Sequence, residues 1–411
     1  MRNLLVDLSL ASVTLMHVNP PESSWPHARS AAFDLGAPTA PQTTDLLKAE
    51  GHVLASALVA LTDLPAFDTV GMDGWAVSGS GPWDVTHNVR AGELGAQLAD
   101  GQAAGVATGA QVPPGTTSVL RREATTLTGQ RVALLDPDAP PARGADIRRQ
   151  GEEAIAGDVL LSAGVVVTPT LLGLAAAAGH DSLLTHRPPT IDVFVMGDEL
   201  LDVGPSVGGA VRDSLSPQVP GWIRSAGGRV GTVVRLPDEL AATIDAISSS
   251  TADVIMTTGG TAHGPVDQLH PALQQLHASL VIDTVAVRPG HPMVMARLPS
   301  GAPLLGLPGN PLAAAVTFVS IGLPLIAACR GLPMPVSRYL TLHGSISAPP
   351  TAHRLMPVLT SESPNQSVVE PLPHHGPAML SGLAHADSLA VAPPGGAKSG
   401  DLVEVLPLPW S

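Results

Sequence analysis

The sequence is poor in lysine, aromatic residues and cysteine. Its 411 residues include two lysines, Lys48 and Lys398, aromatic residues make up 2%, and Cys329 is the single cysteine. One cysteine excludes an intrachain disulfide and a metal site built from a cysteine cluster, and its apolar surroundings predict an inert buried thiol. The formal net charge of −14 argues against nucleic acid and against a membrane surface as general partners. An anionic substrate would need local hydrogen-bond donors or a metal ion.

Two apolar stretches resemble a signal peptide and a membrane-spanning helix by composition. Leu8–Val18 lacks a basic segment and a cleavage site of small residues, so we interpret it as part of an extension rather than a signal peptide. Leu312–Cys329 is long enough to span a membrane. Because Gly322 and Pro324 interrupt it, we predict a buried core helix and a cytoplasmic protein.

One stretch combines the features of a ligand site. Val254–Thr257 is a short β-branched apolar run that predicts a buried strand, and Gly259 and Gly260 follow it. Asp267 comes next, at the start of a helix predicted at 266–276. Ligands of open α/β sheets bind where such strands end. A Gly-Gly pair alone is more often a plain turn.

The order of predicted elements indicates several domains. Strands at 191–196, 230–234, 254–257, 281–287 and 304–306 alternate with helices at 216–226, 237–247, 266–276 and 312–329. This alternation predicts a three-layer α/β domain with a mostly parallel sheet at 190–331. We assign 1–27 to an N-terminal extension and 28–189 to an elongated β-rich region. That region would hold a helical part, with Leu46, Leu47, Val53, Leu54 and Leu58 as its pattern, and an inserted β domain at about 78–147. Short strands and turns at 336–411 predict a C-terminal β-barrel.

Several blocks occur in the order found in one family. They are Met72–Val77, Thr108–Gly115, Arg148–Glu152, Gly197–Leu200, Thr258–Gly260 with Asp267, Pro289–Pro292 and Pro308–Pro311. Over roughly residues 28–408 the chain resembles the molybdopterin molybdenumtransferases. The resemblance implies a Mg²⁺-dependent enzyme that inserts molybdenum from molybdate into adenylylated molybdopterin and releases AMP. It also implies a homodimer whose clefts are shared between subunits, with other cofactor-biosynthesis proteins or molybdoenzymes as further partners.

The resemblance also implies roles for individual residues. Asp73, Glu199 and Asp267 would be catalytic, and Glu199 and Asp267 would hold the Mg²⁺. Asp73 and Thr108 would complete the cleft of the other subunit. The implied substrate-binding residues are Thr108, Gly259, Gly260, Thr261, Arg288, Gly290, His291, Pro308, Gly309, Asn310, Pro311 and Ser381.

These residue types suit the implied chemistry. Backbone amides at 259–261 and in the 308–311 turn could cradle a phosphate without side-chain charge. Carboxylates beside a phosphate repel it unless a cation bridges them, and Mg²⁺ prefers oxygen ligands. Each acid also has a plainer interpretation: Glu199 as a carboxylate in the first turn of a helix, Asp267 as an N-cap, and Asp73 with Gly74 as a hairpin turn.

The sequence departs from the family pattern around the implied cleft. Hydroxyl, amide and basic side chains of the family are replaced at Val195, Met196, Leu215, Ala262, Arg288 and His291, and its acidic pair aligns with Leu236 and Pro237, beside Asp238. Met356 aligns with a family arginine, whereas Ser381 matches a family serine. Two alternatives therefore stay open. One is an impaired paralogue that binds the pterin or its intermediate as a carrier. The other is a similar α/β domain used for nucleotide or other phosphate chemistry, as in competence-damage proteins.

Overall fold

The computed structural model describes residues 21–262, 264, 267–363 and 366–411. The chain divides into two compact units, one formed by Pro41–His186 and the other by the segment up to Ala40 together with Arg187–Ser411. Positions 1–20 of the predicted extension lie outside the described residues. The helix Trp25–Leu35 begins inside the described end of this extension, which was predicted at 1–27.

The Pro41–His186 unit is built mainly of short strands. They are Pro41–Asp45, Val53–Leu54, Leu58–Val59, Thr69–Val70, Gly74–Val77, Trp83–Val89, Gln102–Val106, Ser118–Arg121, Thr125–Thr128, Arg131–Leu134, Ile147–Arg148, Val159–Leu161 and Ser182–His186. Six of these strands, those between Gly74 and Leu134, form one sheet. The unit also contains the helix Pro169–Ala177 and two 3₁₀ turns, Leu46–Lys48 and Arg122–Ala124.

The helix predicted from the leucines at 46–58 is wrong. Leu46 lies in a single 3₁₀ turn, and Gly51 follows with φ +78°, which ends any helical path. Leu54 and Leu58 reach the core from two separate two-residue strands that pair with later parts of the unit. Leu47 is 90% exposed. Strand pairing with distant residues therefore overrides the helical spacing of these leucines.

The predicted α/β domain is confirmed. Its six-stranded sheet has the order Arg229–Leu236, Thr190–Met196, Val254–Thr258, Pro303–Leu307, Val294–Arg297 and Ser279–Ile282. The first four strands are parallel, and Val294–Arg297 runs antiparallel to both of its neighbours, Pro303–Leu307 and Ser279–Ile282. The helices are Val219–Ser225, Leu240–Ser249, Leu269–Gln275 and a long apolar helix that comprises Pro311–Thr317, a π turn at Phe318–Gly322, and Leu323–Arg330.

Alternation along the central strands produces three layers. Val193 and Val195 face a core shared with the long helix and Trp222, whereas Phe194 faces a second core with Leu269. Because successive side chains of a strand point to opposite faces, one sheet supports helices on both sides.

The long apolar helix is a core helix, as predicted. Pro311–Arg330 is long and apolar enough to cross a membrane by composition, but 94% of its most apolar window is buried inside the protein. Cys329 near its end is buried, and burial raises the pKa of this thiol to about 11. A thiol with so high a pKa is a poor nucleophile at neutral pH, in line with the prediction.

The C-terminal β-barrel is also confirmed. Its strands are Arg338–Leu342, His353–Ser363, Gln366–Pro371, Ser388–Ala392 and Leu402–Pro407, with a short helix at Ser381–His385. His353–Ser363 pairs with both Gln366–Pro371 and Ser388–Ala392, which closes the sheet on itself. Val287–Arg288 adds a short parallel strand to it, so the strand predicted at 281–287 is two separate strands.

Candidate active site

A cleft of about 620 Å³ opens at the carboxyl ends of three parallel strands. The turns after Thr190–Met196, Val254–Thr258 and Pro303–Leu307 form its walls. This is the edge at which ligands of open α/β sheets bind. The predicted site residues that line it are Glu199, Gly259, Gly260, Asp267, Gly309, Asn310 and Pro311.

The two glycines after the central strand have left-handed backbones, with φ +83° at Gly259 and +69° at Gly260. The Gly259 N–H donates to the carbonyl of Leu307 at 2.9 Å, so this amide ties two neighbouring strand ends together. Thr261 is 3% exposed and is not among the residues lining the cleft. The pair therefore shapes the cleft wall, and the Gly259 amide is already occupied.

The turn that carries Glu199 is held by a neighbouring strand end. Arg235 donates to the carbonyl of Gly197 at 2.9 Å and to a second carbonyl of the same turn. Asp198 and Asp238 each donate a backbone N–H to the other's carboxylate, at 3.2 and 3.4 Å. A short strand follows Glu199, so this carboxylate does not begin a helix.

Asp267 is a nearly buried carboxylate with one unpartnered oxygen. Its side chain is 6% exposed, and Oδ1 accepts from the Leu269 N–H at 3.1 Å. Among the described residues, Oδ2 has no hydrogen-bond partner. Leaving a buried carboxylate oxygen unpaired is costly unless a ligand satisfies it.

His270 lies beside Asp267 on the helix that follows. Its Nδ1 is 3.9 Å from Oδ1 of Asp267, and its Nε2 is 2.7 Å from Oδ1 of Asp283. Asp267 is the main cause of a raised pKa at His270; burial opposes the rise, and Asp283 adds to it.

Three charged side chains of the cleft are not among the predicted site residues. Arg212, Asp213 and Asp238 line it together with Glu199 and Asp267. Asp238 directly follows the Leu236-Pro237 pair aligned with the family's acids, so a shift in alignment would have found it. Four carboxylates and one guanidinium give the cleft an excess of negative charge.

A second pocket of about 330 Å³ is basic. Arg288 lines it, as do Arg354 and His375, which sequence reasoning did not identify. Met356, aligned with the family arginine, is 5% exposed and packs in the barrel core. Arg354 lies two residues earlier on the same strand, so the arginine at this pocket comes from a neighbouring position.

The remaining predicted residues of this unit line neither pocket. Gly290 has φ +100°, and His291 Nε2 lies 2.9 Å from a carboxylate oxygen of Glu22. Pro308 precedes the lining Gly309. Ser381 begins a short helix, and its carbonyl lies 2.7 Å from Nδ1 of His385.

Asp73 and Thr108 contact each other in the Pro41–His186 unit. Oδ1 of Asp73 accepts from the Thr108 N–H at 2.7 Å and from its hydroxyl at 2.8 Å. The backbone hydrogen bond has the larger effect and the hydroxyl bond the smaller, and both lower the pKa of the exposed Asp73 carboxyl. The strand Gly74–Val77 pairs with Gln102–Val106 and Ser118–Arg121, so Asp73 and Gly74 do not form a hairpin turn.

The carboxylates of the cleft fit a cation that is completed by substrate. No group of three or more His, Cys, Asp or Glu able to hold a metal occurs in the described part of the chain. Mg²⁺ usually binds through one or two carboxylates plus water and substrate phosphates, so a larger cluster is not required. Asp267, with its unpartnered oxygen, and Glu199 line the same cleft and are candidates for such a pair.

Comparisons with known proteins agree over almost the whole chain. Family models match in order: "MoeA N-terminal region (domain I and II)" at residues 23–179, "Probable molybdopterin binding domain" at 192–328, and "MoeA C-terminal region (domain IV)" at 339–408. A solved structure, the molybdopterin biosynthesis moeA protein from Pyrococcus horikoshii, matches with a TM-score of 0.77 and 20% identity, covering 94% of this chain and 100% of that one. At this identity the match shows the fold.

Similar curated proteins are more specific. Molybdopterin molybdenumtransferase 2 from Mycobacterium tuberculosis is 33% identical over 331 residues, which is 75% of this chain and 80% of that protein. Molybdopterin molybdenumtransferase from Staphylococcus aureus is 28% identical over 386 residues, covering 89% of this chain and 90% of the relative. The chain therefore belongs to the molybdopterin molybdenumtransferase (MoeA) family, enzymes of molybdenum cofactor biosynthesis.

Proposed function

We propose that this enzyme inserts molybdenum from molybdate into adenylylated molybdopterin, with Mg²⁺, and releases AMP. Water attacks the adenylyl phosphorus, the P–O bond of the anhydride breaks, and AMP and the pterin phosphate leave. In the insertion the two thiols of the pterin bind molybdenum, and one molybdate oxygen leaves as water with the two thiol protons. The observation that carries the proposal is the nearly buried Asp267 carboxylate, with one oxygen unpartnered, in a cleft that ends three parallel strands.

The charge of the cleft supports a cation. A phosphoanhydride beside Glu199, Asp213, Asp238 and Asp267 would be repelled at close range unless a positive charge lies between them. Glu199 and Asp267 would hold Mg²⁺, which neutralises phosphate charge and polarises the phosphoryl group. The single positive charge of Arg212, the cationic side chain among the lining residues, does not balance four carboxylates.

The turn at Pro308–Pro311 supports phosphate or pterin binding. Asn310 caps the helix that begins at Pro311, yet its side chain makes no capping hydrogen bond. Its amide can therefore donate to and accept from a ligand in the cleft. The start of this helix also carries a partial positive charge, which favours an anion, although the N–H groups of Leu312 and Ala313 already donate to the carbonyl of Pro377.

We assign molybdate to the basic pocket. Arg288 and Arg354 supply guanidinium groups that suit an oxyanion, and His375 can donate from a ring nitrogen. The expected effect of Arg354→Ala is a loss of molybdenum insertion that high molybdate concentration partly restores. Arg338→Ala, an exposed arginine of the same barrel, is the control and should leave the molybdate dependence unchanged.

AMP release tests the role of Asp267. With adenylylated molybdopterin and Mg²⁺, Asp267→Asn should lower the rate at least about a hundredfold, because a neutral amide cannot replace a charged ligand. Asp245→Asn removes an exposed carboxylate of the helix Leu240–Ser249 and serves as the matched control. Equal rates for the two variants would contradict the proposal. Pterin binding by the wild-type protein without AMP release would favour the carrier alternative.

We propose further that the enzyme is a homodimer in which Asp73 and Thr108 of one copy complete the cleft of the other. The pair is exposed, and the hydrogen bonds from Thr108 keep the carboxylate ionised. Mixing Asp73→Ala and Asp267→Ala chains should then restore up to about a quarter of the activity through hybrid dimers with one intact cleft. No recovery after verified subunit exchange would count against shared clefts.

The cellular setting is part of the same proposal. We place the enzyme in the cytoplasm, with other cofactor-biosynthesis proteins or molybdoenzymes as recipients of its product. Cell fractionation tests the location, and transfer of labelled molybdenum from the loaded enzyme to an apo-molybdoenzyme tests the delivery.

A further inference from the structure

A chain of three side chains leads from the cleft into the interior. Asp267 lines the cleft, His270 follows one helical turn later, and Asp283 lies at the end of the strand Ser279–Ile282. The ring of His270 has Nε2 2.7 Å from Asp283 and Nδ1 3.9 Å from Asp267. The side chains of both carboxylates are only 6% exposed.

This arrangement is more than a hydrogen-bonded core histidine requires. Leu269 and Leu273 on the same short helix are fully buried in an apolar core, which is enough to dock the helix. The contact between His270 and Asp283 alone would satisfy one buried carboxylate. It would not require the opposite ring nitrogen to face a residue of the cleft.

The contacts of Asp267 leave its carboxylate poorly fixed without the ring. Oδ1 accepts one backbone N–H, from Leu269, and Oδ2 has no hydrogen-bond partner within the described segments. A carboxylate held by a single bond can rotate. The 3.9 Å separation from His270 exceeds a hydrogen bond, but such contacts are often long in a free enzyme and shorten when the ligand binds.

We propose that His270, anchored by Asp283, is a positioning residue that fixes the Asp267 carboxylate for its cation. The identity of that cation, a divalent ion bound with phosphoanhydride oxygens, rests on the proposed function. Partners that orient a metal ligand typically change metal affinity by about 10–100-fold when they are removed. Ser279–Ile282 contributes to the site through Asp283 although it lies at the far edge of the sheet.

The test uses Mn²⁺ as a spectroscopic probe and ADP as the phosphoanhydride. The electron paramagnetic resonance signal of free Mn²⁺ is titrated with the full-length protein and its variants. Asp267→Ala should abolish the ADP-dependent binding, and His270→Ala should weaken it about tenfold. His343→Ala, an exposed histidine of the barrel, is the control and should bind like the wild type.

Two conservative variants separate positioning from packing. His270→Asn offers an amide nitrogen near the Nδ1 position and should recover part of the Mn²⁺ affinity. His270→Gln offers one near Nε2, so it should keep the contact with Asp283 and the melting temperature while Mn²⁺ binding stays weak. Recovery by His270→Gln and not by His270→Asn would overturn the assignment.

A combined variant tests whether His270 acts through Asp267. Adding His270→Ala to Asp267→Asn should not lower the residual AMP release further, because the carboxylate to be positioned is already gone. Mn²⁺ binding that Asp267→Ala abolishes and His270→Ala leaves unchanged would refute the positioning role while the proposed function stands. Absence of ADP-dependent Mn²⁺ binding in the wild type would overturn the cation itself, and the inference with it.

Discussion

The two glycines of the cleft allow a graded prediction. Gly259, Gly260 and Gly301 all have left-handed backbones, at φ +83°, +69° and +89°. A Cβ at Gly301 would meet nothing within 4 Å, so Gly301→Ala measures the backbone strain alone. That strain is about 1–2 kcal/mol for an L-residue.

The neighbours of the added methyl group decide the rest. At Gly260 the nearest atoms are the flexible end of Met196, at 3.1 and 3.2 Å, which can move aside. At Gly259 the nearest atom is the backbone carbonyl oxygen of Met196, at 3.0 Å. This oxygen belongs to a central strand and cannot move aside. Overpacking of this kind costs about 1–3 kcal/mol. Together with the backbone strain, Gly259→Ala should lower the free energy of unfolding by roughly 2–5 kcal/mol.

Urea unfolding followed by tryptophan fluorescence measures the series. We take the free energy of unfolding to fall by about 2 kcal/mol per M urea. Gly301→Ala should then lower the urea concentration at the unfolding midpoint by about 0.5–1 M, and Gly259→Ala should lower it by roughly 1–2.5 M. AMP release should fall for both cleft variants and stay unchanged for Gly301→Ala. A midpoint for Gly259→Ala equal to that of Gly301→Ala would refute the role of the Met196 carbonyl.

Three shorter predictions concern the rest of the α/β domain. Desolvation opposes but does not outweigh the hydrogen bonds from Arg187 and Thr190 that lower the pKa of Asp253. Asp253→Asn should therefore lower the free energy of unfolding by about 1.5–3 kcal/mol at pH 7. The difference between this variant and the wild type should vanish as pH falls through the lowered pKa of Asp253. Phe318 is fully buried, so Phe318→Ala should lower the free energy of unfolding by about 3–5 kcal/mol in urea titrations. Cys329, with its pKa of about 11, should react with a thiol reagent at pH 7 only after unfolding.

Sequence patterns predicted the elements whose signals are local. The β-branched run Val254–Thr257 is a buried central strand, and the glycines after it do turn the chain at the cleft. The long apolar run became the core helix Pro311–Arg330, because neither its glycine nor its proline breaks it when packing surrounds it on every side. Fold class followed from the alternation of such elements.

The failures occurred where distant residues decide the outcome. Leu54 and Leu58 are spaced for a helix, but pairing with strands more than a hundred residues later determines their conformation. Val294–Arg297 was not predicted as a strand, because it forms an antiparallel hairpin instead of alternating with a helix. Sequence spacing carries little information on such long-range pairing.

The candidate site was predicted in part for the same reason. Glu199, Asp267 and Asn310 each follow a strand, so their meeting at one sheet edge was foreseeable. Arg354 and His375 reach the basic pocket from the barrel domain, and Asp283 reaches His270 from an edge strand. These contacts depend on how the sheet and barrel pack, which no local pattern specifies.

The most direct test of the account follows AMP release and pterin-bound molybdenum in the same reaction. Purified protein is incubated with adenylylated molybdopterin, Mg²⁺ and molybdate, and both products are measured over time. The account predicts that they appear together in equal amounts and that Asp267→Ala abolishes both. AMP release without molybdenum on the pterin, or tight pterin binding with neither product, would contradict it.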